Sequence, residues 1–131
     1  LGGYGLIRLL PSLNLPLLSL NWILISWAMI GGMIVSMICA RQSDIKFLIA
    51  LSSVAHMAMV MGGIVTLSAW GMNGAIFIMV GHGFCSSGLF CIANMAYERT
   101  HSRSLLLMKG MQSTLPTLTL WWFLLAVANM A

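Results

Sequence analysis

The chain has 131 residues, of which 60% are hydrophobic and 6% are charged, and its mean hydropathy is +1.00. A typical soluble domain has about a quarter of its residues charged, so this composition excludes an ordinary soluble globular protein. The net charge of +4 does not indicate nucleic-acid binding, because the six basic residues lie at the ends of apolar segments rather than along one face.

Long uncharged stretches predict an all-α fold, a polytopic transmembrane helix bundle of about four spans. A spanning helix needs roughly 20 apolar residues, and a charged side chain is costly at the bilayer centre. Residues 1–10 are interpreted as the tail of a preceding helix, which Pro11 and Pro16 end. Within a single transmembrane domain over residues 1–131, the predicted spans are 17–40, 45–67, 74–97 and 112–131.

The connections between these spans differ in charge. Five of the six Lys and Arg residues lie in the connections 41–46 and 98–109, whereas the turns Pro11–Pro16 and Ser68–Asn73 have only Arg8 nearby. The positive-inside rule therefore predicts that the two basic connections face the compartment equivalent to the cytoplasm.

Two histidines occupy the middle of predicted spans. At 1.5 Å per residue, His56 lies about 15 Å and His82 about 12 Å along their helices. Ser52 and Ser53 precede His56 by one turn, and Ser86 follows His82 by one turn. Because imidazole changes charge near neutral pH and intramembrane ionisable groups mark proton pathways, these residues predict a proton relay. The alternative is a neutral histidine that hydrogen-bonds a neighbouring helix as a packing contact.

Asp44 and Lys46 lie at the mouth of a span. A structural interpretation makes Ser43 or Asp44 the helix N-cap and Lys46 an interfacial anchor. The functional alternative is proton entry or a contact with a loop or another subunit.

Small residues and cysteines complete the candidates. Gly31–Gly32 and Gly62–Gly63 predict close helix packing, whereas Gly81 and Gly83 favour local loosening that admits water beside His82.

The odd number of cysteines without a Cys-x-x-Cys pair supports neither a disulfide framework nor a zinc site. We expect buried, inert thiols at Cys39, Cys85 and Cys91.

Several stretches resemble one family. The sequence RQSDIKFLIALSSVAHM at Arg41–Met57 is similar to the pattern RQ(S/T)D(I/L)K-x-LIAYSS-(I/V)-SHM of the NADH–ubiquinone oxidoreductase chain 4 family, antiporter-like subunits of respiratory complex I. The resemblance continues, over essentially the whole chain, through Leu1–Gly5, Gly81–Asn94, Tyr97–Arg103 and Leu115–Trp122.

Two positions depart from the family pattern. Leu51 stands where the family usually has Tyr, and Ala55 stands where Ser is common. The second change removes a hydroxyl group beside His56, and we expect Ser52 to replace it as a hydrogen-bond partner.

The resemblance implies a proton-translocating subunit of an NADH:ubiquinone reductase in the mitochondrial inner membrane, with connections 41–46 and 98–109 on the matrix side. It implies that NADH, FMN, iron–sulfur clusters and ubiquinone belong to other subunits, so this chain holds no cofactor, redox centre or metal. The implied partners are other membrane subunits of complex I and the lipid bilayer, with no nucleic acid.

The resemblance also implies a midplane axis of lysine, histidine and glutamate joined by water, to which His56 and His82 would belong. Its lysine is expected just before Leu1 and its glutamate shortly after Ala131, so the chain is expected to be an internal segment. Two alternatives stay open, a subunit of a stand-alone cation/proton antiporter and a purely structural membrane scaffold.

Overall fold

The computed structural model describes residues 1–12 and 20–130. The predicted positions of Pro16, of the start of the first span at Leu17 and of Ala131 fall outside the described residues. Within the described ranges there is no β-strand, and the all-α prediction is confirmed. The helices are α1 (Gly2–Leu9), α2 (Asn21–Ala40), α3 (Ile45–Val65), α4 (Ala69–Thr100), α5 (Met111–Thr114) and α6 (Pro116–Met130).

Three helices, α2, α3 and α4, are long and apolar enough to cross a membrane. The 32 residues of α4 extend about 48 Å at 1.5 Å per residue, which exceeds the roughly 30 Å of a bilayer's hydrocarbon core. The helix begins five residues before the predicted span, so the turn predicted at Ser68–Asn73 is shorter and lies at residues 66–68. The Ser68 hydroxyl accepts a hydrogen bond from the backbone N–H of Gly71 at 3.0 Å. Ser68 is therefore the N-cap, and the helix begins at the next residue, Ala69.

The predicted span 112–131 is also corrected, because the structure divides it into α5 and α6. Pro116 has no backbone N–H to donate, and its ring disfavours helical geometry at Leu115. Leu115 accordingly has φ −137° and ψ 70°. The 15 residues of α6 extend about 22 Å, so this helix is shorter than the other three.

Close contacts between glycines and small residues hold the long helices together. A Cβ atom on Gly63 would lie 2.9 Å from the carbonyl oxygen of Gly71, and one on Gly32 would lie 3.0 Å from the Cβ of Ala58. A Cβ on Gly62 would come within 2.8 Å of the Met29 side chain. The predicted packing role is therefore confirmed at these three glycines, but Gly31 faces open space.

Two hydrophobic clusters join α3 to α4. The turn-end cluster consists of Val60, Ile64 and Ala75, with side chains of α1 packed against it. The loop-end cluster, which also includes a residue of the connection after α4, consists of Ile45, Ile49, Leu89, Ala93, Ala96 and Met108. The middle of each helix lies between these clusters, and that is where the two histidines occur.

The two basic connections meet at one end of the bundle. Asp44 and Ser104 form an isolated antiparallel bridge. The N–H of Ile45 donates to the carbonyl of Arg103 at 3.1 Å, and the N–H of Leu105 donates to that of Ser43 at 2.9 Å. These bonds place residues 41–44 and 101–110 beside each other. Both connections are shorter at one end than predicted, because α3 begins at Ile45 and α4 continues to Thr100.

Candidate functional site

The structure brings the two midspan imidazoles together. The ring centroids of His56 on α3 and His82 on α4 are 4.8 Å apart, and the ring planes are tilted by 32°. Both residues are half-buried. The loop-end and turn-end clusters on either side fix the relative level of α3 and α4, so the rings meet at the same depth.

Both rings line one cleft, which we call the histidine cleft. Its volume is about 270 Å³, whereas one water molecule occupies about 30 Å³ of the liquid, so several waters fit. Polar groups come from His56, His82 and Asn129, and the Cys85 thiol also lines the space. The remaining lining residues are small or apolar: Met59, Phe77, Ile78, Gly81, Ala128 and Met130.

No Asp, Glu, Lys or Arg is found among the described residues that line the histidine cleft. Charges at this depth are weakly screened, since the effective dielectric constant inside a protein is far below that of water. Two imidazolium ions at the observed ring distance would therefore repel each other strongly.

Asn129 is a site residue that the sequence interpretation missed. Its Oδ1 lies 3.2 Å from Nδ1 of His82, which links α6 to α4 across the cleft. The sequence does contain a signal for this residue, because Asn129 is the single amide in the otherwise apolar last turn of a helix. An unpaired polar group is costly there, so a partner is expected. Sequence alone could not show that α6 folds back against His82.

The predicted serines lie close in sequence but outside the lining of the cleft. The hydroxyl of Ser52 donates to the carbonyl oxygen of Ile49 at 2.7 Å, and that of Ser53 donates to the same oxygen at 3.2 Å. A helical serine readily satisfies its hydroxyl in this way, so the expectation that Ser52 bonds to His56 is corrected. Ser86 is half-buried on α4 one turn beyond His82.

The helix loosening expected at Gly81 and Gly83 is not observed, because α4 is continuous from Ala69 to Thr100. A Cβ atom added to either glycine would meet nothing within 4 Å. The glycines thus leave space beside His82 without breaking the helix, and Gly81 forms part of the cleft wall.

Asp44 and Lys46 lie at the end of α3, away from the histidine cleft. The Asp44 carboxylate accepts from the backbone N–H groups of Lys46 and Phe47 at 3.0 and 3.4 Å, which makes Asp44 the N-cap of α3. The structure thus selects Asp44 over Ser43 for this role.

The Lys46 side chain connects α3 to α4. Its ammonium group donates to Oδ1 of Asn94 at 3.3 Å and lies 4.9 Å from the ring centroid of Tyr97. The amide nitrogen of Asn94 donates in turn to Glu98 at 3.0 Å. Asn94 therefore bridges an ammonium group and a carboxylate at the mouth of the helix pair.

Substitution of Asp44 separates a capping role from proton entry. In the full-length protein, we expect Asp44→Ala to lower the free energy of unfolding by about 1 kcal/mol through loss of the N-cap. Asp44→Asn should stay close to wild type because its amide oxygen can still accept the two backbone hydrogen bonds. Thermal unfolding in detergent and proton flux in vesicles would be measured together. A loss of flux in a fully stable Asp44→Asn protein would contradict a purely capping role.

The cysteines differ in exposure. Cys39 and Cys85 are half-buried, but Cys91 is exposed, so the expectation of three buried thiols is corrected. The reason is that α4 packs on α3 through Leu89 and Ala93, and Cys91 lies off that face. In the part of the chain that the structure describes, no group of three or more His, Cys, Asp or Glu residues could hold a metal ion.

Comparison with known proteins gives consistent matches. The sequence pattern of the family described as NADH:quinone oxidoreductase/Mrp antiporter, transmembrane, matches residues 1–131. The chain is similar to proteins named NADH-ubiquinone oxidoreductase chain 4 from Ceratitis capitata, at 56% identity, and Aedes aegypti, at 54%, each over all of this chain and 29% of the relative. A relative of the same name from Polypterus ornatipinnis is 53% identical over all of this chain and 28% of its own length. The chain therefore spans less than a third of these relatives.

Proposed function

The chain belongs to the NADH:quinone oxidoreductase/Mrp antiporter transmembrane family, and from this premise we propose that it forms part of a proton-translocating subunit of respiratory NADH:ubiquinone oxidoreductase. In this proposal His56 and His82 are successive groups of a proton relay that crosses the membrane at mid-depth. NADH oxidation by ubiquinone, carried out in other subunits, drives the movement.

One observation carries the proposal. Two imidazoles on different membrane-spanning helices face the same cleft with their centroids 4.8 Å apart, and the cleft has room for water. Neutral imidazole has one donor and one acceptor nitrogen, so a proton can arrive at one ring, pass to water or to the second ring, and leave. A histidine that served only as a packing contact would need neither the second ring nor the space.

The chemistry assigned to the residues follows from their contacts. We assign the proton-exchange steps to the two imidazoles. Ser52 and Ser53 have no such step, because both hydroxyls already donate to the carbonyl oxygen of Ile49. Ser86 stays a candidate for binding water near His82. Lys46 and Asn94 form a candidate entrance at the end of α3, since their bridge places an ammonium group and an amide at the helix mouth.

The proposed setting is the mitochondrial inner membrane, with the connections 41–46 and 98–109 in the matrix. The names of the relatives and the excess of basic residues in these connections support it. The proposed partners are other membrane subunits of the same complex and the surrounding lipid. NADH, FMN, iron–sulfur clusters and ubiquinone are assigned to those other subunits.

A stand-alone cation/proton antiporter is the second candidate function, because the family description includes Mrp antiporters as well as quinone oxidoreductases. The respiratory assignment is favoured by the names of the relatives that cover the whole chain. A purely structural scaffold would give no reason for two imidazoles to line a cleft that has room for several waters.

Removal of each imidazole in the full-length subunit, within its assembled complex, tests the proposal. We expect His56→Ala and His82→Ala each to lower the proton flux through this subunit roughly tenfold or more, because a lost proton-transfer group typically costs at least 10²-fold in rate. The flux would be measured in proteoliposomes per assembled complex, beside NADH oxidation. The matched control is Val54→Ala, at an exposed position of α3.

Unchanged flux in either histidine variant would overturn the relay. Failure of both variants to assemble, with Val54→Ala assembling normally, would support the structural scaffold instead.

A further inference from the structure

The contact between His82 and Asn129 bears on which nitrogen of His82 carries hydrogen. The atom of Asn129 that faces Nδ1 of His82, at 3.2 Å, is the amide oxygen Oδ1. An amide oxygen only accepts hydrogen bonds, so with the Asn129 amide in this orientation Nδ1 of His82 is the donor. In the neutral ring the lone pair then lies on Nε2.

We infer that Asn129 is a positioning residue that fixes the Nδ1–H tautomer of His82, so that protons enter and leave this ring through Nε2. The inference rests on the proposed relay and adds a residue and an atom to it. A hydrogen bond to one ring nitrogen commonly sets the role of the other, and here the partner is held on a different helix.

The proton balance shows why this contact matters. A proton that binds Nε2 produces an imidazolium with N–H groups at both nitrogens, and the bond from Nδ1 to Asn129 persists. Loss of the same Nε2 proton restores the starting tautomer. Release of the Nδ1 proton to water would instead break the hydrogen bond to Asn129 and leave the Nε2–H tautomer. The ring would then have to return to the Nδ1–H tautomer before the next transfer. Asn129 therefore keeps Nε2 as the nitrogen that exchanges protons, and the ring returns to the same tautomer after each exchange.

Few titratable groups lie near His82 in the part of the chain that the structure describes. Among the described residues, the other titratable groups that line the same cleft are His56 from α3 and Cys85 from α4 itself. Residues 116–130 of α6 contain no titratable side chain. On α1, which packs at the turn end, Arg8 donates to the Tyr4 hydroxyl at 3.0 Å.

Two substitutions of Asn129 in the full-length subunit of the assembled complex test the inference. Asn129→Leu keeps a similar volume but removes the acceptor, and we expect the proton flux to fall roughly tenfold. Asn129→Asp restores an oxygen acceptor but adds a negative charge that favours the imidazolium. We expect it to recover flux above that of Asn129→Leu and to move the pH of half-maximal flux upward, because the carboxylate stabilises the imidazolium.

The matched control is Thr119→Val, which removes a hydroxyl that donates to the backbone carbonyls of Leu115 and Pro116, just before and at the start of α6. It should keep the wild-type flux and pH profile. If Asn129→Leu fails to assemble, the pH profile of Asn129→Asp decides alone.

Wild-type flux in Asn129→Leu, or a wild-type pH profile in Asn129→Asp, would overturn the inference. The parallel His82→Ala variant distinguishes this failure from failure of the relay. If His82→Ala loses flux while the Asn129 variants behave as wild type, only the tautomer assignment is wrong. If His82→Ala keeps its flux, the relay itself is wrong.

Discussion

Filling the histidine cleft with a Gly81→Phe substitution is expected to lower proton flux through the full-length subunit by roughly tenfold or more, with assembly of the complex preserved. Gly81 lines the cleft beside both imidazoles, so an aromatic ring there would displace the water that a relay needs. The backbone should tolerate the change, because a Cβ atom at Gly81 meets nothing within 4 Å. Proteoliposome flux per assembled complex is the measurement.

Gly83→Phe is the matched control for the filled cleft. Gly83 lies on the same helix, its Cβ position is equally open, and it is not part of the cleft lining described above. We expect the control to translocate protons at close to the wild-type rate. Wild-type flux in Gly81→Phe would show that the cleft is not the pathway, and equally low flux in the two variants would assign the loss to α4 in general rather than to the filled cleft.

The second large effect is expected from Ile64→Ala in the turn-end cluster. Ile64 is fully buried, at 0% exposure, and it packs where α1, α3 and α4 meet. Truncation of a buried Ile to Ala costs about 2–5 kcal/mol, because the surrounding side chains close the cavity only in part. Helices in a membrane depend on such packing, since burial from lipid supplies little driving force.

The midpoint of thermal unfolding of the full-length protein in detergent checks this expectation. Ile76→Ala, at a 44% exposed position of α4, removes the same atoms from a surface site and should shift the midpoint much less. Similar shifts in the two variants would mean that the turn-end cluster does not hold α3 against α4.

The distribution of charge was sufficient to predict the long helices. The ends of α2 and α3 at Ala40 and Ile45 coincide with the predicted ends because the charged residues between them cannot enter the hydrocarbon core. Local hydrogen bonding decided the remaining ends. The Ser68 cap extends α4 at its N-terminus, and Pro116 divides the last apolar segment. Both are local signals that the length of an apolar segment does not contain.

The candidate site could be predicted only in part. The positions of His56 and His82 along their helices indicated similar depth, but ring adjacency depends on how α3 rotates against α4. That rotation is set by contacts such as Gly63 with Gly71, which no single-helix pattern contains. The contact of Asn129 with His82 joins residues 47 positions apart and required the fold of α6.

The relay is tested most directly by a double-variant cycle on proton flux, with His56→Gln, His82→Gln and the two combined in the full-length subunit. Glutamine keeps hydrogen-bonding capacity but cannot exchange a proton near neutral pH. Groups that act in series lose their function together, so their effects are not additive. We expect each single variant to lose as much flux as the double variant, with all three complexes assembled. Single losses that add up in the double variant, or a single variant with wild-type flux, would contradict a shared pathway through the two imidazoles.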